Sequence, residues 1–486
     1  MTKTQQPTRI ERDCLGDMEI PDHLLYGIQT VRMMKVSGAA GYPIIAYPDL
    51  HRALFKIKKA CAKANVKIGA LAPEIGDAIV KACDEALTGR YDDQFPLDMW
   101  QGGGFTCLNM NVNEVLGNAA NEILTGRRGQ DKVHPNTHVN KAQSTNDTIP
   151  SATHLAIAPR LDRITAELDR LAESFEKKAA AFADVVKVGR TCWQDALPLT
   201  LGQEFSGFAA VTRRMAAKLR AARPGCFELV MGGSAVGTGL GADPGYMDAF
   251  YEALSDDLGE PVRPMANLFD GFQNMDFCVT VSGLVKEVAT TLSKISKDLR
   301  LMSSGPRSGF CELDLPALSP GSSIMPGKIN PTVPEMVIQI AHQVVGNDVA
   351  VTMAYDEGEL DLNVWDATFY KCLFESMQLV EREIPILREH CVDGITARRE
   401  DCRREDCRRE AERSIALSTV IAATMGYPEG VRIAHKAAAE GKTVKEVVLE
   451  EGLMSAEDAE LMLDPRVMTE PERMERAIAD FRKKHA

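Results

Sequence analysis

Apolar residues recur at helical spacing through the middle of this chain. Val281, Leu284, Val285, Val288, Leu292, Ile295 and Leu299 follow one another at steps of three and four, which is the stripe of a helix burying one face. Ser303-Ser304-Gly305-Pro306 then stops the pattern. At 3.6 residues per turn the spacing predicts about seven turns. A second stripe, Leu161, Ile164, Leu168, Leu171 and Phe175, follows a polar segment that ends at Pro150. A third carries Met336, Ile340, Val344 and Val345 after Pro334, a residue tolerated in a first helical turn. Helices this long and apolar bury their faces by bundling within and between subunits, so a mainly α fold and a homo-oligomer are expected.

Boundaries follow from where the pattern changes. Residues 1–141 hold shorter helical patterns broken by Pro and Gly and are read as an N-terminal helical domain. Residues 142–396 hold the long helices, and 397–486 form a small C-terminal helical domain in which Ser455 caps one of two short amphipathic helices. Near the second boundary the unit RREDC repeats, a charge pattern suited to a solvated helix face, with Cys402 and Cys407 on different sides of it.

Composition narrows the function. The chain has 486 residues, 45% hydrophobic and 26% charged, and is therefore a folded protein of more than one domain. No apolar run reaches the length of a membrane span, and the polar start MTKTQQPTRIERD lacks the core of a secretory signal, so a cytoplasmic protein without membrane partners is expected. Twelve cysteines without a CxxC pair or a Cys/His cluster read as reduced thiols, with no metal site. A net charge of -13 argues against nucleic acid as a partner.

Candidate chemistry is densest in Gly321 to Pro331, GSSIMPGKINP. Pro and Gly break any helix there, while Ser322, Ser323, Lys328 and Asn330 supply donors that a folded loop can bring to one point, as anion binding requires. It is not a phosphate-binding loop, because five residues separate Gly321 from Gly327 and Ile329 follows the lysine. Gln143-Ser144-Thr145-Asn146-Asp147, Gly189-Arg190-Thr191, and Thr106 with Asn109 read as loop-to-helix junctions of the kind that hold carboxylates, or as simple caps. The glycines of Gly232 to Tyr246 do not make a dinucleotide fingerprint, because Asp243-Pro244-Gly245 falls where the helix should run.

Taken together, YGIQTVR (26–32), NMNVNEV (109–115), HPNTHVNKAQSTND (134–147), GRTCWQD (189–195), SSGPRSGF (303–310) and GSSIMPGKINP resemble the aspartase/fumarase superfamily in order, and its aspartase branch in particular. The resemblance covers nearly the whole chain. It implies a three-domain α fold with a central long-helix bundle, and a homotetramer whose active sites each draw on three subunits. It also implies elimination without a cofactor: a proton is taken from beside a carboxylate, and an amine or hydroxide leaves the neighbouring carbon, with a small amino acid as the substrate of the aspartase branch. Matched to the motifs, Ser322 is the base, and Ser144, Thr145 and Ser323 stabilise the dianionic intermediate. Lys328, Asn330 and Thr191 hold the second carboxylate, and Thr106 and Asn146 face the leaving nitrogen.

The departures fall in the substrate-facing segments. Cys192 stands where His or Gln usually follows GRT, so the His partner of fumarases is absent although Glu335 is kept. Phe105, Cys107, Leu108, Thr137, Trp193 and Trp365-Asp366-Ala367 also differ from the family pattern. These changes suit either an aspartate-type ammonia-lyase with repacked helices or a lyase releasing trimethylamine from a betaine such as ergothioneine, whose cation favours aromatic surfaces. A catalytically silent structural homologue is the reading from another class, and the intact loop at Ser322, Lys328 and Asn330 argues against it.

Overall fold

A computed structural model describes residues 7–398 and 403–485. Helices dominate it, and every strand pairing is two-stranded. In chain order the main elements are β1 (Thr8–Asp13), β2 (Gly16–Pro21), α1 (Ile28–Met34), α2 (Asp49–Lys67), α3 (Pro73–Leu87), α4 (Thr106–Thr125), α5 (Thr145–Ala181), β3 (Val186–Thr191), β4 (Gln194–Thr200), α6 (Leu201–Ala222), α7 (Tyr246–Leu258), α8 (Leu268–Gln273), α9 (Asp276–Met302), α10 (Thr332–Asp356) and α11 (Asp366–His390). Seven shorter helices follow, from α12 (Arg403–Arg413) to α18 (Pro471–Lys484).

The helical stripe of the sequence is the buried face of α9. Val281, Val285, Val288, Leu292, Ile295 and Leu299 are all buried, and each side chain of this size contributes about 1.5–3 kcal/mol by leaving water. Helix α10 starts at Thr332, with Pro334 in its first turn. Helix α5 begins earlier than expected. It starts at Thr145, before Pro150, and runs 37 residues through Pro150 and Pro159, so Ser144 to Asp147 open the helix instead of preceding it. Pro150 is the sixth helical residue, past the four N–H groups that lack intrahelical partners, so it and Pro159 each remove a helical hydrogen bond, a loss that the packed apolar stripe offsets.

The chain forms two compact units, Met1–Ala166 with Met215–Ala289 and Ile340–Arg382, and Glu167–Arg214 with Thr290–Gln339 and Glu383–Ala486. In the first, α2 packs on α3 and α7, with Leu50, Leu54, Ile57 and Ile79 fully buried. In the second, the rings of Phe175, Phe205 and Phe208 pack at tilted and edge-on angles around the start of α6. The second unit also holds a core of its own in the C-terminal segment, where Leu417, Ile421, Ile433, Val447, Met462 and Phe481 pack together. Ser455 caps the helix after it by accepting from the Asp458 N–H at 3.1 Å, as the sequence indicates. Cys402 lies outside the described residues, and so does the side chain of Cys407.

Candidate active site

In the first unit the turn before α5 is held by a buried polar network. Asn140 Oδ1 accepts from Lys58 Nζ at 3.0 Å, Asn109 Nδ2 at 3.2 Å and Asn113 Nδ2 at 3.0 Å. Lys58 is fully buried and also donates to Gln143 Oε1 at 2.8 Å, and burial pushes its ammonium pKa down to about 8. Asn109 reaches on to Thr145 Oγ1 at 3.1 Å, and the Asn146 N–H donates to Ser144 Oγ at 3.2 Å. Asp147 closes the turn: Oδ1 accepts the Ser144 N–H at 2.9 Å and Oδ2 the Ser234 N–H at 3.0 Å. Burial raises its pKa to about 7 against the pull of those donors.

Thr106 opens α4 in the same unit. It is exposed and donates its hydroxyl to Gly103 O at 2.8 Å, after Gly103, Gly104 and Phe105 have turned the chain in the left-handed region. The altered neighbours serve packing: Leu108 is fully buried in α4, and buried Phe105 meets Tyr370 edge-on at 6.4 Å. Those two belong to the core, so neither lines a pocket for a bulkier substrate.

The second unit carries the remaining candidates. Ser322 Oγ accepts from the N–H groups of Ile324 at 3.3 Å and Met325 at 3.0 Å, and two such donors favour an ionised oxygen. The loop is shut at its base, where the Gly321 N–H donates to Lys328 O at 2.7 Å and Asn330 Nδ2 donates to Gly321 O at 2.9 Å. Only glycine fits at 321, since a Cβ there would lie 2.6 Å from Lys328 O and 2.8 Å from the Asn330 nitrogen. Ser323 and Lys328 are exposed, and no carboxylate pairs with Lys328 among the described residues. Lys328 and Asn330 line a cavity of about 1040 Å³ together with Lys297, Arg300, Arg398 and Glu335. Glu335, lacking a histidine, pairs with Arg300 at 3.3 Å.

Thr191 and Cys192 sit on a strand hairpin and not on the loop-to-helix junction expected from Gly189-Arg190-Thr191. The pairing of β3 with β4 shifts register between Val188 and Arg190, and Gly189 must lack a side chain because a Cβ would lie 2.5 Å from Leu197 O on β4. Thr191 pairs with Gln194, leaving Cys192 and Trp193 as a two-residue turn with φ of 52° and 62°. Both side chains are exposed, Trp193 at 70%, and its ring lies 6.1 Å from Phe310. Arg190 sits 4.1 Å above that same ring and pairs with Glu312 at 2.6 Å; buried Lys187 links Glu312 to Glu204.

Asn140 and Asp147 stand in the segments singled out in the sequence but carry no assigned role there, and Lys58 is outside those segments. Lys58 sits in FKIKKAC, where a lysine reads as the solvent face of a helix. The signal available was the apolar flank of Ile57, Ala60 and Cys61 around it. Among the described residues no His/Cys/Asp/Glu group is arranged to hold a metal.

The chain is similar to known proteins over most of its length. The Lyase family model matches residues 16–346, and that of the fumarase C C-terminus matches 417–470. An aspartate ammonia-lyase from Pseudomonas aeruginosa is 43% identical across 96% of this chain and 97% of its own length. A class II fumarate hydratase from Chromobacterium violaceum is 42% identical across 96% of this chain and 100% of its own. A crystal structure of a fumarate lyase:delta crystallin from Brucella melitensis superposes with a TM-score of 0.90 at 43% identity, covering 95% of this chain and 100% of that one.

Proposed function

Because the chain belongs to the aspartase/fumarase superfamily of lyases, with its mainly α fold, we propose that it is a carbon-nitrogen lyase releasing ammonia from aspartate to give fumarate. The observation that carries this reading is Ser322, an oxygen facing two backbone N–H groups in a loop whose Lys328 and Asn330 line a cationic cavity. Four cations and two carboxylates line that cavity, counting Asp314, so it suits a dicarboxylate. In the reaction the ionised Ser322 takes the proton from the carbon beside one carboxylate. The electron pair moves into that carboxylate as a dianion, which Ser323, Ser144 and Thr145 stabilise by hydrogen bonds. The pair then returns to form the double bond, and the C–N bond breaks with its electrons on nitrogen. We assign Lys328, Asn330, Thr191 and Cys192 to the other carboxylate, and Thr106 and Asn146 to the ammonium of the substrate, which leaves as neutral ammonia.

Membership alone leaves water as an alternative leaving group, as in fumarate hydratase. Glu335 bonded to Arg300, with Cys192 in the histidine position, favours the amine. A betaine substrate draws its support from the exposed Trp193 ring, next in the chain to Cys192. The reading extends to a homotetramer with shared sites, three domains divided near 141 and 396, and a cytoplasmic enzyme; no described helix is long and apolar enough to cross a membrane.

Ser322→Ala is expected to lower turnover of aspartate at least a thousandfold, followed by fumarate absorbance, with the circular dichroism spectrum and oligomer unchanged. Turnover like that of wild type would remove Ser322 from the mechanism. Trimethylamine release from ergothioneine by wild type, without ammonia release from aspartate, would replace the substrate.

A further inference from the structure

The glycine-rich segment Gly232–Ala242 has no part in the chemistry so far, yet its backbone meets the hydroxyl turn at three points. Asp147 Oδ2 accepts the N–H groups of Gly232 at 3.3 Å and Ser234 at 3.0 Å. One residue earlier, Asn146 Nδ2 donates to Ala235 O at 2.8 Å. A carbonyl oxygen can only accept, so this contact decides which way the Asn146 amide faces: its nitrogen is committed to the loop. Asn146 Oδ1 then has no partner among the described residues and remains an acceptor. The loop is itself fixed. Ser234 stands at φ 59° and donates Oγ to Leu240 O at 2.8 Å, and the N–H groups of Gly237 and Gly239 both return to Gly233 O.

We propose that this loop is a specificity element for the amine, with Asp147 as the positioning residue that docks it. The inference rests on the proposed ammonia-lyase reading. By setting the Asn146 oxygen as an acceptor, the loop favours an ammonium with N–H groups to donate and disfavours one whose hydrogens are replaced by methyl groups, which offers fewer donors and more bulk. Releasing the loop frees the amide to rotate, and discrimination falls.

The test is the reverse reaction, addition of ammonia or methylamine to fumarate, read as the ratio of the two kcat/KM values. Both rates come from one preparation, so the folded fraction cancels from the ratio. Asp147→Asn replaces an acceptor-only group with an amide that cannot receive all three N–H groups now bonded to it. Ser234→Gly accepts the same φ and removes only the bond to Leu240, so it tests the loop where Asp147→Asn fails to fold. We expect the ammonia-to-methylamine ratio to fall at least fivefold in Asp147→Asn and two- to threefold in Ser234→Gly. Variants that lose rate but keep the wild-type ratio overturn the specificity role. A wild type that adds neither amine overturns the ammonia-lyase reading and this inference with it.

Discussion

Glu383 is a buried carboxyl whose two oxygens have no hydrogen-bond partner among the described residues. Burial raises its pKa well above the usual carboxylate range, so the folded protein holds a proton that the unfolded chain gives up near its ordinary pKa. Stability from this group is therefore complete at acidic pH and is lost as pH rises toward the raised folded value. Glu383→Gln cannot titrate and should remove that slope, up to about 1.4 kcal/mol per pH unit. Denaturant midpoints at pH 5 and pH 8 check this: the variant gains on wild type as pH rises, and parallel curves would place the titration elsewhere. Glu383 was not legible in the sequence because EREIP reads as a solvated helix edge. Lys58 is hidden in the same way. A charge at helical spacing shows its face only when the neighbours on both sides are known, whereas Ser322, Lys328 and Asn330 stood out because they share one short loop.

Among the elements, the long helices were readable because a stripe seven turns deep repeats its own signal, as the buried face of α9 shows. The β3–β4 hairpin was not, since its strands are short and Pro198 interrupts the alternation. Its turn puts Cys192 and Trp193 in the left-handed region, where each side chain costs about 1–2 kcal/mol. Trp193 offsets part of this against Phe310. Cys192 is exposed, and asparagine is well tolerated in this conformation. Cys192→Asn should raise thermal stability by roughly 0.5–1 kcal/mol at the midpoint. A lower midpoint in calorimetry would mean that the thiol contributes more than its backbone strain removes.

At the scale of the whole molecule, apolar side chains remain on the surface of α10. Val345, Val349 and Met353 are exposed at steps of four, a stripe that the fold of one chain leaves in water. It supports the proposed oligomer, in which such a stripe is covered by other copies. Val349→Asp with Met353→Lys should shift the mass measured by light scattering toward the monomer and abolish turnover if sites are shared. An unchanged assembly would direct attention to another face. The two units have a further consequence for how the protein is made. Each is assembled from three separate stretches of chain, and the first is incomplete until residue 382 has been added. A ribosome therefore releases neither unit early: the N-terminal 166 residues emerge without the later strands of sequence that complete their core. Folding must wait for distant partners, which makes it slow by loop closure and leaves apolar helices exposed during synthesis. No single cut in the chain can yield either unit as a separate product.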